Sequence, residues 1–246
     1  MHSRRLGISL GVNLMPSDGK LCSFDCLYCE CGFNDDRRPQ LPRPTREQVR
    51  TALETTLQAM KERGERLDVI TFAGNGEPTM HPDFPTVIDD TLALRDAYYP
   101  ETKLSVLSNA TLAHRPAIHA ALLRVDNNIL KLDTVDNEYI KRVDRPLQRN
   151  YDAAAIVAVI RSFEGHAIVQ TMFMKGSYRG VSVDNTGERY VGPWLDAVVS
   201  AAPSSVMIYT VDRDTPADGL LKASPTELNA IRDRVTAKGI PCTVSY

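Results

Sequence analysis

The segment Ile8-Ser-Leu-Gly-Val-Asn-Leu14 is followed, after a short loop, by Cys22-Ser-Phe-Asp-Cys26-Leu-Tyr-Cys29. The first segment is apolar and contains β-branched side chains, which is typical of a buried strand. The second places three cysteines on the loop that follows this strand. Parallel α/β proteins carry their active sites on loops of this kind, at the carboxyl ends of their strands. This stretch therefore predicts a strand and, directly after it, a functional loop.

The alternation of apolar segments with helical patterns continues along the chain. Six segments predict strands and a last one is a candidate seventh: residues 8–14, 67–73, 104–108, 128–132, 168–173, 206–211 and 241–246. Helices are predicted between them, beginning with the capping-box sequence at Thr45. Such alternation builds a parallel sheet with right-handed crossovers. The predicted fold class is α/β, and the strand count favours a partial (β/α)6 TIM-like barrel with parallel strands over an open doubly wound sheet.

Length and composition predict one domain. The chain has 246 residues, 43% of them hydrophobic, which is enough for one sizeable core. With 29 basic and 31 acidic residues, the net charge of -2 gives no general attraction to nucleic acid or to anionic membranes. We expect a single core domain over residues 1–246 without an auxiliary-cluster or RNA-binding extension. No long apolar stretch or signal peptide is found, which predicts a cytoplasmic protein that does not bind membranes.

The cysteines are concentrated in one short loop, which favours metal binding. Cys22, Cys26, Cys29 and Cys31 lie together, and only Cys242 is remote. Disulfides normally connect distant segments, so this distribution fits a reducing compartment. Thiolates are the usual ligands of iron-sulfur clusters, and the C-x3-C-x2-C spacing allows three of them to surround one cubane. Three protein ligands would leave one iron open to an external chelating molecule.

The same spacing, with Tyr28 directly before the third cysteine, resembles the signature of the radical S-adenosylmethionine (SAM) superfamily. The resemblance implies a 4Fe-4S cluster on Cys22, Cys26 and Cys29, whose open iron binds the amino and carboxylate groups of SAM. One electron passed through the cluster then cleaves SAM, and the resulting 5'-deoxyadenosyl radical abstracts hydrogen from a substrate. It also implies an electron donor such as flavodoxin or ferredoxin.

A glycine-containing loop follows the second predicted strand and resembles the glycine-glycine-glutamate motif that holds the SAM amino group in the superfamily. Glycine permits positive backbone angles and a close approach of the backbone to a ligand. An ordinary strand-to-helix turn is the alternative interpretation. The residues of this loop are Gly74, Asn75, Gly76, Glu77 and Pro78.

Polar side chains at three further strands are candidate cofactor contacts. By the same resemblance, Ser108 and Asn109 are candidates for the ribose hydroxyls or the methionine carboxylate of SAM, and a turn or helix cap is the alternative. Lys131 and Asp133 share one face of the fourth strand, where an unpaired buried charge would be costly. We therefore expect a ligand there or a mutual ion pair. Gln170, on the fifth strand, is a candidate for contact with SAM or substrate.

The resemblance extends over nearly the whole chain but leaves the substrate open. Residues 3–11, 29–32 and 209–213 resemble a subgroup of Fe-S oxidoreductases related to the wybutosine-forming tRNA enzyme and the molybdenum-cofactor cyclase. A tRNA base, a peptide and a small metabolite are all candidate substrates, and no DNA partner is expected. Arginines near the cysteine loop form a candidate basic rim for RNA, or else solvate the surface. They are Arg4, Arg5, Arg37, Arg38, Arg43, Arg46 and Arg50.

Two other classes of protein stay open on the sequence alone. With Cys31 as a fourth ligand, the cluster would serve electron transfer or redox sensing, although its position two residues after Cys29 makes reaching the far iron awkward. A zinc-stabilised binding module would use the same four cysteines. Structural zinc sites, however, usually pair two C-x2-C units from separate segments.

Overall fold

The computed structural model describes residues 2–3 and 7–246, with side chains described from residue 7 onward. Arg4 and Arg5 of the predicted basic rim lie outside the described residues. The chain divides into two units, and each contains strands and helices. The first unit comprises Met1–Cys22 and Arg37–Asn128, and the second comprises Ser23–Asp36 and Ile129–Tyr246.

The first unit is built around strands in the order β1-β2-β3-β4. These strands are β1 (His2–Ser3), β2 (Gly7–Val12), β3 (Val69–Phe72) and β4 (Lys103–Ser108). β2, β3 and β4 are mutually parallel, and the short β1 pairs antiparallel with β2. The helices of this unit are α1 (Arg46–Glu62), α2 (Phe84–Tyr98) and α3 (Pro116–Leu122).

Helix α1 begins where the sequence predicts it. The Thr45 hydroxyl accepts a hydrogen bond from the Gln48 backbone N–H, and the Gln48 side chain accepts one from the Thr45 backbone N–H, which completes a capping box. One face of the helix is buried and carries Val49, Leu53 and Leu57 at helical spacing. The cap therefore fixes the start of the helix, and the apolar face fixes its orientation on the core.

The second unit contains strands in the order β5-β6-β9-β11 and a smaller antiparallel sheet in the order β10-β7-β8. Strand β5 (Asn127–Lys131) enters this unit at Ile129. The later elements are α4 (Asn137–Val143), α5 (Ala153–Arg161), β6 (Ala167–Met172), β7 (Met174–Tyr178), β8 (Val181–Ser182), α6 (Glu188–Ala201), β9 (Ser205–Tyr209), β10 (Leu220–Lys222), α7 (Pro225–Thr236) and β11 (Cys242–Ser245). β9 is parallel to both β6 and β11.

The core of the second unit centres on Trp194 of α6, which is fully buried. Its indole N–H donates to the Leu132 carbonyl at 3.0 Å, and Phe173 packs edge-on at a centroid distance of 5.2 Å. All six residues of β6 are buried, as expected for a parallel strand covered on both faces. This packing fixes the end of β5, where the polar residues of the predicted site begin.

The strand predictions are confirmed for all seven segments, including the candidate seventh at β11, with ends that differ by at most two residues. The two short helices α3 and α4 and the small antiparallel sheet were not predicted. Among the described residues, no helix combines the length and apolar character needed to cross a membrane.

Candidate functional site

In the first unit, the glycine loop is joined to the residue that precedes Cys22. Leu21 forms a parallel β-bridge with Gly76: its N–H donates to the Asn75 carbonyl at 2.8 Å, and its carbonyl accepts from the Glu77 N–H at 3.1 Å. Gly76 has φ +149°, and a Cβ at this position would lie 1.8 Å from the Leu21 carbonyl oxygen. Only glycine permits this approach, so the residue type fixes the start of the cysteine loop.

The carboxylate of Glu77 fastens this loop to the end of β4. It accepts hydrogen bonds from the Ser108 hydroxyl at 2.8 Å, from the Asn109 backbone N–H at 2.7 Å, and from the Thr79 backbone N–H at 3.1 Å. Glu77 is only 2% exposed. Burial raises the pKa of Glu77 above its ordinary value even though its hydrogen bonds act in the opposite direction. Three of the predicted site residues, Glu77, Ser108 and Asn109, thus meet in one network.

Asn109 also connects this network to the first cysteine. Its side-chain oxygen accepts from the Thr111 backbone N–H at 3.1 Å and from the Thr111 hydroxyl at 2.7 Å, which fixes the orientation of the amide. The amide nitrogen then points toward the Cys22 sulfur at 3.7 Å. An N–H group directed at a cysteine sulfur favours the anionic form in which sulfur binds metals.

In the second unit, Lys131 reaches the second cysteine. Its ammonium lies 3.0 Å from the Cys26 sulfur, 2.6 Å from Asp144 Oδ1 and 3.3 Å from Asp133 Oδ2. The ammonium also lies over the Tyr28 ring, 4.6 Å from its centroid. The predicted ion pair between Lys131 and Asp133 is present, and Asp144 joins it from the C-terminal cap of α4.

The Tyr28 hydroxyl completes this cluster by donating hydrogen bonds to both carboxylates. It contacts Asp133 closely and lies 3.2 Å from Asp144 Oδ1. Burial, together with the charges of the two carboxylates, raises the pKa of Tyr28 well above its ordinary value. The tyrosine is therefore a hydrogen-bond donor throughout the physiological range. The cysteine motif predicts a place for Tyr28 in the site but no role for its hydroxyl.

The charges of the cluster depend on one another. Burial raises the pKa of Asp133 to about 7, against the lowering influence of Lys131. Burial alone lowers the pKa of Lys131, but attraction to Asp133 and Asp144 outweighs it and raises that pKa well above its ordinary value. Lys131 is therefore a cation at neutral pH. We name the set of Cys26, Tyr28, Lys131, Asp133 and Asp144 the lysine cluster.

The other predicted site residues have defined positions in the fold. Cys29 follows Cys26 in a tight turn, with its N–H donating to the Cys26 carbonyl at 3.2 Å. Gln170 is buried in β6. Within residues 2–3 and 7–246, no group of three or more His, Cys, Asp or Glu side chains is arranged to hold a metal ion. The assignment of Cys22, Cys26 and Cys29 as ligands stays a prediction from their spacing.

The candidate basic rim is partly neutralised by an acidic residue. Arg46 pairs with the buried Asp90 at 2.7 Å, and Arg50 contacts the same carboxylate at 3.4 Å. The pairing lowers the pKa of Asp90, with the Arg46 hydrogen bond as the largest cause. These two arginines thus have an ion-pairing role within the first unit, and the basic rim for RNA stays a prediction.

Comparison with known proteins identifies the family. The radical SAM superfamily matches residues 17–176, which is more than half of the chain. The chain belongs to the radical SAM superfamily. A UPF0026 protein of Helicobacter pylori is 30% identical over 176 residues, covering 71% of this chain and 54% of that protein. A UPF0026 protein of Methanocaldococcus jannaschii is 29% identical over 193 residues, covering 76% of this chain and 56% of that protein. The chain therefore spans about half the length of these relatives.

Solved radical SAM proteins share the fold. A radical SAM methyltransferase from Sphaerobacter thermophilus superposes with a TM-score of 0.70 at 17% identity, covering 97% of this chain and 66% of that one. SuiB of Streptococcus suis, solved with S-adenosylmethionine, gives a TM-score of 0.66 at 14% identity, covering 96% and 51%. TYW1, solved with a lysine-pyruvate adduct, gives 0.60 at 12% identity, covering 92% and 73%. These likenesses confirm the predicted fold class, an α/β partial barrel of the radical SAM type.

Proposed function

We propose that this radical SAM protein is an enzyme that holds a 4Fe-4S cluster on Cys22, Cys26 and Cys29 and cleaves SAM reductively. The 5'-deoxyadenosyl radical would then abstract hydrogen from a substrate that is still to be identified. The observation that carries this proposal is the β-bridge between Leu21 and Gly76, because it fastens the start of the cysteine motif directly to the glycine loop. In a chain of this superfamily, the two motifs are the expected cluster and SAM elements.

The donor set fits an iron-sulfur cluster. Cysteine sulfur is its natural ligand, and the sulfurs of Cys22 and Cys26 face N–H donors from Asn109 and Lys131. Cys22, Cys26 and Cys29 would hold the cluster, which would supply the single electron needed to cleave SAM. The protein residues hold the sulfurs in place and compensate their negative charge.

The glycine loop is the proposed contact for the SAM amino group. Since the Glu77 side chain is occupied by donors from Ser108, Asn109 and Thr79, we assign ligand binding to the backbone of Gly74–Pro78 and structural support to that carboxylate. Further proposed SAM contacts are Tyr28, Lys131, Asp133 and Gln170. Lys131 and Asp133 form an ion pair with each other, so neither side chain is left without a partner when no ligand is bound.

The partners follow from the chemistry. A one-electron donor such as flavodoxin or ferredoxin would reduce the cluster, and a cytoplasmic location would keep the thiolates reduced. We retain the single core domain over residues 1–246 as a proposal, together with RNA, a peptide or a small metabolite as substrate. No membrane or DNA partner is proposed.

Anaerobic reconstitution with iron and sulfide, followed by addition of dithionite and SAM, tests the proposal. We expect one 5'-deoxyadenosine and one methionine for each SAM cleaved, with loss of this activity in Cys22→Ala, Cys26→Ala and Cys29→Ala. Cys242→Ala is the matched control, since this cysteine lies on β11 at the end of the chain. Stoichiometric zinc without visible absorbance would replace the proposal with the zinc-stabilised binding module.

A further inference from the structure

Lys131 is a largely buried cation whose ammonium lies against the predicted cluster ligand Cys26. Its side chain is 13% exposed, and its ammonium has three close polar neighbours: the Cys26 sulfur at 3.0 Å, Asp144 at 2.6 Å and Asp133 at 3.3 Å. The rings of Phe24 and Tyr28 flank it at centroid distances of 5.0 and 4.6 Å. An ammonium has three N–H donors, and each of these three polar neighbours can accept one.

We propose that Lys131 sets the reduction potential of the cluster carried by Cys26, as a positioning residue that acts through the Cys26 sulfur. The inference rests on the proposed function. On reduction, an external one-electron donor loses one electron and the cluster gains it, with no bond made or broken in the protein. The added negative charge spreads onto the ligand sulfurs, so a cation that hydrogen-bonds one of them stabilises the reduced state more than the oxidised one.

The surroundings of Lys131 are suited to this role. Burial strengthens the attraction between the ammonium and the sulfur because the local dielectric constant is low. The carboxylates of Asp133 and Asp144 keep the ammonium in place, and the Tyr28 hydroxyl holds both carboxylates by hydrogen bonds. The negative charge on these carboxylates also limits the effect, since it offsets part of the lysine's charge. The lysine therefore tunes the potential without leaving a net cation buried in the core.

The test is a redox titration of the reconstituted holoenzyme followed by electron paramagnetic resonance. Lys131→Met removes the charge and the donor while keeping the length of the side chain. We expect its equilibrium constant for one-electron reduction to fall by about tenfold, which corresponds to a midpoint about 59 mV more negative. Lys131→Arg retains a charged donor, so its midpoint should lie close to that of wild type. Lys141→Met is the matched control and should leave the midpoint unchanged, because Lys141 is an exposed residue of α4 whose ammonium pairs with Glu138 at 2.7 Å.

The outcomes separate this inference from the proposed function. A wild-type protein that takes up no cluster would overturn both. A wild type that loads a cluster and cleaves SAM, with a Lys131→Met midpoint equal to its own, would overturn this inference alone. If Lys131→Met loads no cluster, Lys131→Gln provides a neutral side chain that still donates a hydrogen bond. Failure of both folded variants to load would also overturn the inference, because the lysine would then be needed for cluster retention.

Discussion

The Glu77 carboxylate is the most sharply testable structural element of the site, and Glu77→Gln is the substitution that tests it. The two carboxylate oxygens each accept from a backbone N–H, Oε1 from Thr79 at 3.1 Å and Oε2 from Asn109 at 2.7 Å. Whichever way a glutamine amide is turned, its NH2 group therefore faces a backbone donor. The variant keeps the volume of the side chain but leaves an acceptor at one end only, so one of the two backbone N–H donors loses its partner.

The cost follows from these contacts. A hydrogen bond to a charged group contributes about 1.5–3 kcal/mol, and a buried donor left unsatisfied costs about 1–3 kcal/mol. Glu77→Gln loses one hydrogen bond to the carboxylate, leaves that backbone donor unsatisfied and weakens the bond from Ser108. We therefore expect its free energy of unfolding to fall by about 3 kcal/mol. Urea denaturation of the metal-free protein at pH 8 measures this without any contribution from cofactors. Glu101→Gln, at an exposed position beyond α2, is the control and should change stability by less than about 0.5 kcal/mol. If Glu77→Gln is as stable as this control, the carboxylate does not hold the glycine loop to the end of β4.

Two further substitutions test the contact between the glycine loop and Leu21 and the charges of the lysine cluster. Gly76→Ala should destabilise the metal-free protein by about 3 kcal/mol or more, because its Cβ would lie 1.8 Å from the Leu21 carbonyl oxygen. Gly11→Ala is the control, because a Cβ at that position has nothing within 4 Å. Equal melting temperatures of the two variants would contradict this prediction. Burial raises the pKa of Asp133 from 3.8 to about 7, so the stability that protonation of Asp133 provides is present below about pH 4 and lost as the pH rises through 7. The free energy of unfolding of Asp133→Asn relative to wild type should therefore increase between pH 4 and 7 in urea titrations, and parallel pH profiles would show that Asp133 does not titrate there.

Strands β3 to β6 were predictable because most of their residues are buried, which demands apolar, β-branched residues, and such runs are visible in the sequence. Strands β2 and β11 follow the same apolar pattern although they are only half-buried or exposed. Helices α3 and α4 have seven residues each, which is too short for a helical repeat to stand out. The antiparallel sheet of β7, β8 and β10 was missed for a related reason. Its strands are two to five residues long, and Met174 is the one buried residue among them, so no apolar alternation marks them.

For the site, spacing identified the residues but not their partners. Cys22, Cys26 and Cys29 follow a motif, and the loop around Gly76 lies at the carboxyl end of β3 as expected. Asp144 could not be foreseen, since it caps α4 and reaches Lys131 only through tertiary packing. Ser108 and Asn109 were predicted as direct SAM contacts, and this stays untested. Their contacts with Glu77 show a supporting role that residue type alone does not reveal.

If Cys22, Cys26 and Cys29 are the cluster ligands, one iron is left available to SAM. Electron-nuclear double resonance on the reduced cluster, with SAM carrying nitrogen-15 in its amino group, measures whether SAM occupies that iron. We expect a hyperfine coupling between the amino nitrogen and the cluster, in wild type and in Cys31→Ala alike. A reduced cluster without this coupling, together with loss of the cluster in Cys31→Ala, would show that four cysteines bind the cluster and that no iron is open to SAM.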